Sequence, residues 1–389
     1  MAGKAAAAAV DTGFSGSYAP EDVTFLLKPV GAEAYHQRSA EEKERLIQTG
    51  AMHYSEMIAR EAPPSPEYLA VFDTALARHG ARMARETAAL AVSLNAALPG
   101  PITLASLVRA GVPLGVLLTR ALRALGRDVA HFGISIIRDR GLDLTALQAI
   151  RAARPPAGLV FVDGWTGKGA IAGELEGDLA TRAPEIAPRL VALADPCGRA
   201  WLSASHDDWL IPSGILGGIV SGLVSRTILN DRLVAPGEFH ATVRADHLAG
   251  WDRSRSFVDA LTPPMLAALA QAAPSSAGPT AQEAKRQDAR EAARAKARAA
   301  AAETIDRVAA RFDIANRNRI KPGIAEATRA VLRRAPERVL IRGTGDPDLA
   351  GLETLASERG ILLEVDPALV APYRAITVIR AMAGRAGGR

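Results

Sequence analysis

"GLVFVDGWTGKGA", residues 158–170, is an apolar run that stops on Asp163 and then turns through Gly164, Trp165, Thr166, Gly167, Lys168 and Gly169. Continuous apolarity over a few residues is the mark of a strand buried on both faces of a parallel sheet. A packed core has no use for the turn that follows. A glycine-rich turn entering a helix ("AIAGEL", 170–175) exposes backbone N–H groups at the positive end of a helix dipole, and both favour an anion.

The neighbouring segments repeat the pattern. "TLASLVR" (103–109) predicts a strand, "AGVP" a tight loop and "LGVLLTRALRALG" a helix. "HFGISII" (131–137) is the next strand, followed by "RDRGLD" and the helix "LTALQAIRAA"; "RLVALAD" (189–195) and "DWLIPS" (208–213) are read as the fourth and fifth strands. Strands alternating with helices predict an α/β fold, a parallel sheet with helices on both faces. Ligands in such sheets lie beyond the carboxyl ends of the strands, where all of these loops fall. The stretch before, 38–98, has helical spacing broken by the prolines at 63–66 and reads as a helical cap.

The chain has 389 residues, enough for two domains. Its 48% hydrophobic and 23% charged content describes a globular protein, not a disordered one. The one cysteine, Cys197, excludes an internal disulfide and fits a reducing cytoplasm. The start of the chain lacks the apolar core of a signal peptide. The longest apolar stretch, "LIPSGILGGIVSGLVSRTIL" (210–229), is interrupted by Pro212, three serines and Arg226, so no membrane span is expected. Its Gly214, Gly218 and Gly222 fall four apart, on one helical face suited to close packing. A net charge of +5 and a pI near 9.5 favour anionic partners without choosing among them.

The expected organisation is a disordered tail (1–15), a first domain (16–262), a linker (263–302) and a small α/β domain (303–389). The linker turns from Pro/Ser/Gly to an Ala/Arg/Lys stretch with Lys285, Arg286, Arg290, Arg294, Lys296 and Arg298, a basic helix that is either a solvated surface or an RNA-contacting arm.

Several motifs together, "GSYAPEDVTFLLKP" (16–29), "HYSEMI" (53–58), "SIIRDRG" (135–141), "VDGWTGKGAI" (162–171) and "HDDWLIPSGILG" (206–217), resemble the predicted phosphoribosyltransferases of bacterial tellurium-resistance and stress gene clusters, a family also labelled cysteine protease StiP. "LVRAGVPLG" is similar to the pyrophosphate loop of type I phosphoribosyltransferases, and the tail "IKPGIAEATRAVLRRAP" resembles a Pelota-type RNA-binding domain of the Pelota/L7Ae-like kind.

That resemblance implies a phosphoribosyltransferase-like sheet and transfer of ribosyl phosphate from phosphoribosyl pyrophosphate, with magnesium, to or from a nitrogenous base or nucleotide. It implies that Gly164, Trp165, Thr166, Gly167, Lys168 and Gly169 hold the 5′-phosphate, that Asp163 touches the ribose or its magnesium, and that Arg109, Ala110 and Gly111 meet the pyrophosphate. Arg138, Asp139 and Arg140 are expected at the same edge. The family's acidic pair is reduced here to Asp163-Gly164, leaving Asp139, Asp207 and Asp208 to supply a second carboxylate. Tyr18, as a stacking ring, and Lys28 are chosen on resemblance alone. RNA is expected at 303–389 and on the basic linker, and a homodimer is left open.

Two other readings compete. One is a nucleotide-binding module without catalysis that regulates RNA binding. The other is a thiol protease: a nucleophilic Cys197 needs a histidine within reach and a group to orient it, and "LADPCGRAWLSASHDD" (193–208) offers His206 and Asp207 nearby in sequence.

Overall fold

The computed structural model describes residues 13–36, 38–272 and 281–382, with backbone alone for 281–287. Most of the expected tail and the side chains of Lys285 and Arg286 lie outside the described residues. The first lobe is built on six strands: β1 (Thr24–Phe25), β2 (Ile102–Leu107), β3 (Val129–Ile134), β4 (Leu159–Trp165), β5 (Leu190–Ala194) and β6 (Leu202–Ser205). They are hydrogen-bonded in the order β1-β3-β2-β4-β5-β6, every pair parallel. Successive side chains leave opposite faces. Leu104, Val160 and Val162 pack into one core, Ala105, Leu107 and Phe161 into the other.

Helices α1 (Ala40–Gln48) and α2 (Pro66–Ala97) form the cap. The break between them has a local cause. Pro66 stands at the first position of α2, where its missing N–H costs nothing, and the Ser65 hydroxyl accepts from the Tyr68 N–H. Helix α3 (Val112–Ala124) follows β2 and joins α2 on the first face; α4 (Leu144–Ala153) and α5 (Ala170–Arg182) follow β3 and β4 on the second. Adjacent strands β2 and β4 thus send their chains to opposite faces. The crevice between their carboxyl ends is a topological switch point.

Two expectations fail here. Residues 208–213 form no strand: Trp209 to Ile211 run irregularly into a short 3₁₀ turn at Pro212–Gly214, and the sheet edge is taken by β6. Residues 210–229 form no glycine-faced helix either. Gly217, Gly222 and Leu223 adopt left-handed backbone, which a right-handed helix excludes, so the segment threads the core as short turns.

Helix α6 (Ser254–Gln271) closes the first lobe and α7 (Ala281–Arg311) opens the second. There β7 (Ile320–Pro322), β8 (Pro336–Ile341), β9 (Leu362–Val365) and β10 (Ala375–Ile379) form a mixed sheet in the order β7-β10-β8-β9, with helices α8 (Ile324–Arg333) and α9 (Ala350–Glu358). The two lobes share cores. Ile324, Val331 and Leu352 join the first lobe's main cluster, while Cys197 joins Ala301, Val308, Leu340, Tyr373 and Ile376 of the second lobe.

Candidate functional site at the carboxyl edge of the sheet

A cavity of about 890 Å³ opens over the β2–β4 crevice and is roofed by the second lobe. Asp163, Arg109, Ala110, Arg138 and the run Trp165–Gly169 all line it, as the sequence leads one to expect. Gly164 and Gly111 sit just behind, packed on the main chain of Ala110 and of Val162. Gly169 caps α5 with φ +80°, and a Cβ there would stand 2.6 Å from the Arg199 side chain. Only glycine closes this turn without strain.

The charges in the cavity fall into distinct states. Asp163 accepts a hydrogen bond from the Gly164 N–H at 2.8 Å, but burial dominates and pushes its carboxyl up to about 7. Arg109 is 4% exposed; it forms a bidentate pair with Glu61 and donates to the Val224 carbonyl at 2.9 Å. Burial alone would raise the Glu61 carboxyl, yet Arg109 and Arg333 hold it well below the usual carboxylate range. Arg109 therefore enters as a guanidinium already paired.

Six expected site residues lie elsewhere. Tyr18 is buried, donates its hydroxyl to the Val220 carbonyl at 2.8 Å and presents no face for stacking. Lys28 pairs with Glu238 at the surface, 2.5 Å away. Asp207 pairs with Arg82 at 3.0 Å and Arg374 at 3.4 Å. Asp208 accepts the N–H groups of Ile324 and Arg374, and so fastens the second lobe to the first. Asp139 is a largely exposed partner of Arg138, and Arg140 pairs with Glu56 while donating to the Leu229 carbonyl. Each of these groups is consumed by a structural partner or points off the cavity.

The fold adds residues that the sequence did not assign to this site. Lys321, Arg329 and Arg333 reach the cavity from the second lobe and Arg226 from the 210–229 threading segment. Burial, reinforced by neighbouring cations, lowers Lys168 to about 8 and Lys321 to about 7. Only folding brings them together, so no local spacing could have disclosed them.

Behind the Thr166–Gly169 loop lies Cys197, 2% exposed. Its sulfur is 3.1 Å from Thr166 Oγ1 and 3.8 Å from Asp195 Oδ1. The Thr166 hydroxyl donates to Asp195, whose carboxylate also accepts the Arg199 and Ala200 N–H groups at 2.9 Å. His206 donates Nδ1–H to the Asp195 carbonyl at 2.8 Å; a carbonyl can only accept, so the neutral ring keeps Nε2 free of hydrogen. Burial first, and the Asp195 charge second, push the thiol up to about 12. Two contacts from the second lobe pin the cover: Tyr373 donates to the Gly167 carbonyl at 2.9 Å and Arg298 to the Gly198 carbonyl at 3.1 Å.

Comparison with known proteins now becomes decisive. A family model described as tellurite-like stress resistance cysteine protease StiP matches residues 16–262. The chain belongs to the StiP family. A Pelota RNA-binding domain model matches 299–381. A curated relative from Acinetobacter baylyi, named "Cysteine protease StiP", is 44% identical over 378 residues, covering 95% of this chain and 94% of its own. This naming overturns the expectation of ribosyl phosphate transfer: the relative is named for thiol proteolysis, not for a glycosyltransferase, and phosphoribosyl pyrophosphate with its base acceptor has no support. Among the described residues no group of three or more His, Cys, Asp or Glu side chains gathers to hold a metal, and no helix is long and apolar enough to cross a membrane.

Proposed function

We propose that this StiP-family chain is a cysteine peptidase with Cys197 as nucleophile, kept latent by its own second lobe. The observation that carries the reading is the placement of the chain's one cysteine. It follows β5 at the carboxyl edge of the sheet, within 3.1 Å of the Thr166 hydroxyl that leads to Asp195. Peptide hydrolysis there would begin with the thiol proton passing through Thr166 to the Asp195 carboxylate while sulfur attacks the scissile carbonyl carbon. Collapse of the tetrahedral adduct returns that proton to the departing amine and leaves a thioester. Water then cleaves the thioester, restoring the thiol and releasing the acid. His206, oriented by the Asp195 carbonyl, is the alternative base.

A sulfur pushed up to about 12 holds its proton at neutral pH, and an enclosed sulfur admits no peptide. Catalysis therefore requires the α7–Tyr373 cover to move. The experiment is peptidase turnover on an unfolded protein substrate by Gly198→Ala, whose added Cβ would stand 2.1 Å from the Arg294 carbonyl of α7 and displace the cover, and by the same variant carrying Cys197→Ala or His206→Ala. Loss of turnover on adding Cys197→Ala is the expected result; activity undiminished by it sinks the proposal. Loss in His206→Ala as well moves the base from Asp195 to the imidazole.

The Pelota-matching unit supports RNA as a partner. The expected signature is binding of single-stranded RNA to the full chain that weakens steeply with added salt. The basic helix is less available for this than its sequence suggests. Arg294 pairs with Glu291, and Arg298 is spent on Gly198.

A further inference from the structure

Eleven cationic side chains line the large cavity against five carboxylates, a surplus larger than the +5 of the entire chain. Two of the five carboxylates are already engaged: Glu61 takes Arg109 and Arg333, and Glu44 takes Arg334. Lys321 is 8% exposed, and among the described residues its ammonium has neither an ion-pair partner nor a hydrogen bond. Among the described residues the Arg226 side chain has a single acceptor, the Met57 carbonyl at 3.0 Å. A buried, uncompensated ammonium is costly unless a ligand supplies the missing charge.

Three further features narrow that ligand. The N–H groups of Gly167, Lys168 and Gly169 donate to no protein acceptor among the described residues, and these three residues line the cavity at the start of α5. Successive main-chain donors of this kind suit the oxygens of a phosphate. Beside the cations lie aromatic and apolar surfaces. Arg329 sits 5.4 Å over the Trp165 ring, and Ile215, Leu216, Ile219 and Leu248 form an apolar wall. The volume falls within the range of sites for small organic ligands. An acidic peptide would use the cations but not the amide nest beside an apolar wall, and a polynucleotide would not need a recess roofed by the second lobe.

We infer that this cavity is a binding site for a phosphate-bearing nucleotide, its phosphates on Lys321, Arg226 and the Gly167–Gly169 amides and its base against Trp165 and the apolar wall. Because the cations come from both lobes, the ligand bridges them. Cys197 does not line this cavity but packs behind the same loop.

The test is titration calorimetry on the full chain with ATP, AMP, inorganic pyrophosphate, adenosine, an acidic peptide and a short single-stranded RNA, alongside thermal melting. ATP and AMP should bind and raise the melting temperature, whereas adenosine should not. Lys321→Met and Arg329→Gln should each weaken ATP binding about tenfold. Lys321→Met should also melt higher than wild type without ligand, because it removes an unpaired buried charge, so lost binding cannot be ascribed to a damaged fold. If that variant does not fold, Arg329→Gln, at a partly exposed position, carries the test. Absence of nucleotide binding at millimolar ATP, equal affinity for adenosine, binding of RNA or acidic peptide alone, or unchanged affinity in the variants would each overturn the inference.

Discussion

On one side of the Thr166–Gly169 loop, Cys197 is packed dry among Ala301, Val308, Leu340 and Tyr373; on the other, Lys168, Lys321 and Arg226 crowd an open chamber without enough counter-charge. One short stretch of chain separates a side where Cys197, Thr166 and Asp195 bond to one another from a side where the Lys321 ammonium has no partner among the described residues. Burial acts on both, with opposite chemical consequences. It keeps the thiol protonated and inert, and it drives the two lysines toward their neutral forms. A closed side is built for protection, an open and unbalanced side for binding.

The sharpest way to break this contrast is thiol chemistry, where the largest effect is expected. At pH 8 a thiol near 12 carries roughly a thousandfold less thiolate than an ordinary cysteine. Iodoacetamide should therefore modify the folded chain about 10³-fold more slowly than the same chain in denaturant. Gly198→Ala should recover much of that rate. Gly198 has φ +62°, and a Cβ there would stand 2.1 Å from the Arg294 carbonyl of α7, forcing the covering helix away. Equal rates in folded and unfolded chains would show that Cys197 is already open, and the latent arrangement would be wrong.

The next effect concerns what holds the cover down. Asp208 accepts three hydrogen bonds from two main-chain N–H groups of the second lobe. Asp208→Ala leaves both donors buried without an acceptor, a loss of about 1–3 kcal/mol each. The melting temperature should drop and Cys197 alkylation should quicken together. A drop in stability without faster alkylation would mean that the lobes separate at some other seam.

The contrast also explains what could be read in advance. Strands β2 to β5 were legible because they are short apolar runs closed by turn residues, and the Asp163–Gly169 loop was placed at the cavity by that pattern alone. The edge strand was missed because Leu202–Ser205 is half polar, while "DWLIPS" looks like a strand but buries Trp209 in irregular backbone. Arg226 and Lys321 were invisible, since one lies inside an apolar run and the other in a different lobe, and tertiary structure alone makes them neighbours. The activity was misread for a different reason. A loop able to cradle an anion states what it can hold, not which bond is broken, and function is grafted on folds rather than dictated by them.

The smallest expected effect tests the charged side without any ligand. Folding lowers Lys321 to about 7 and Lys168 to about 8, both through burial first. In the unfolded chain each returns to the ordinary lysine range, near 10.4. Between about pH 7 and 10 the unfolded chain thus binds more protons than the folded one, and linkage requires stability to rise with pH across that interval. Below pH 7 both states hold the Lys321 proton and its full burial penalty applies. Chemical denaturation at pH 7, 8 and 9 should show this rise in wild type and a shallower one in Lys321→Met, with Lys168 accounting for the remaining slope. Asp163 acts below that window and in the opposite sense. Its folded carboxyl stays protonated up to about 7, so its share of stability falls between roughly pH 4 and 7, and Asp163→Asn should remove that fall while leaving the alkaline rise intact. A pH profile identical in wild type and Lys321→Met would mean that water or a counter-ion already neutralises the ammonium, and the two sides of the loop would then differ in shape but not in charge.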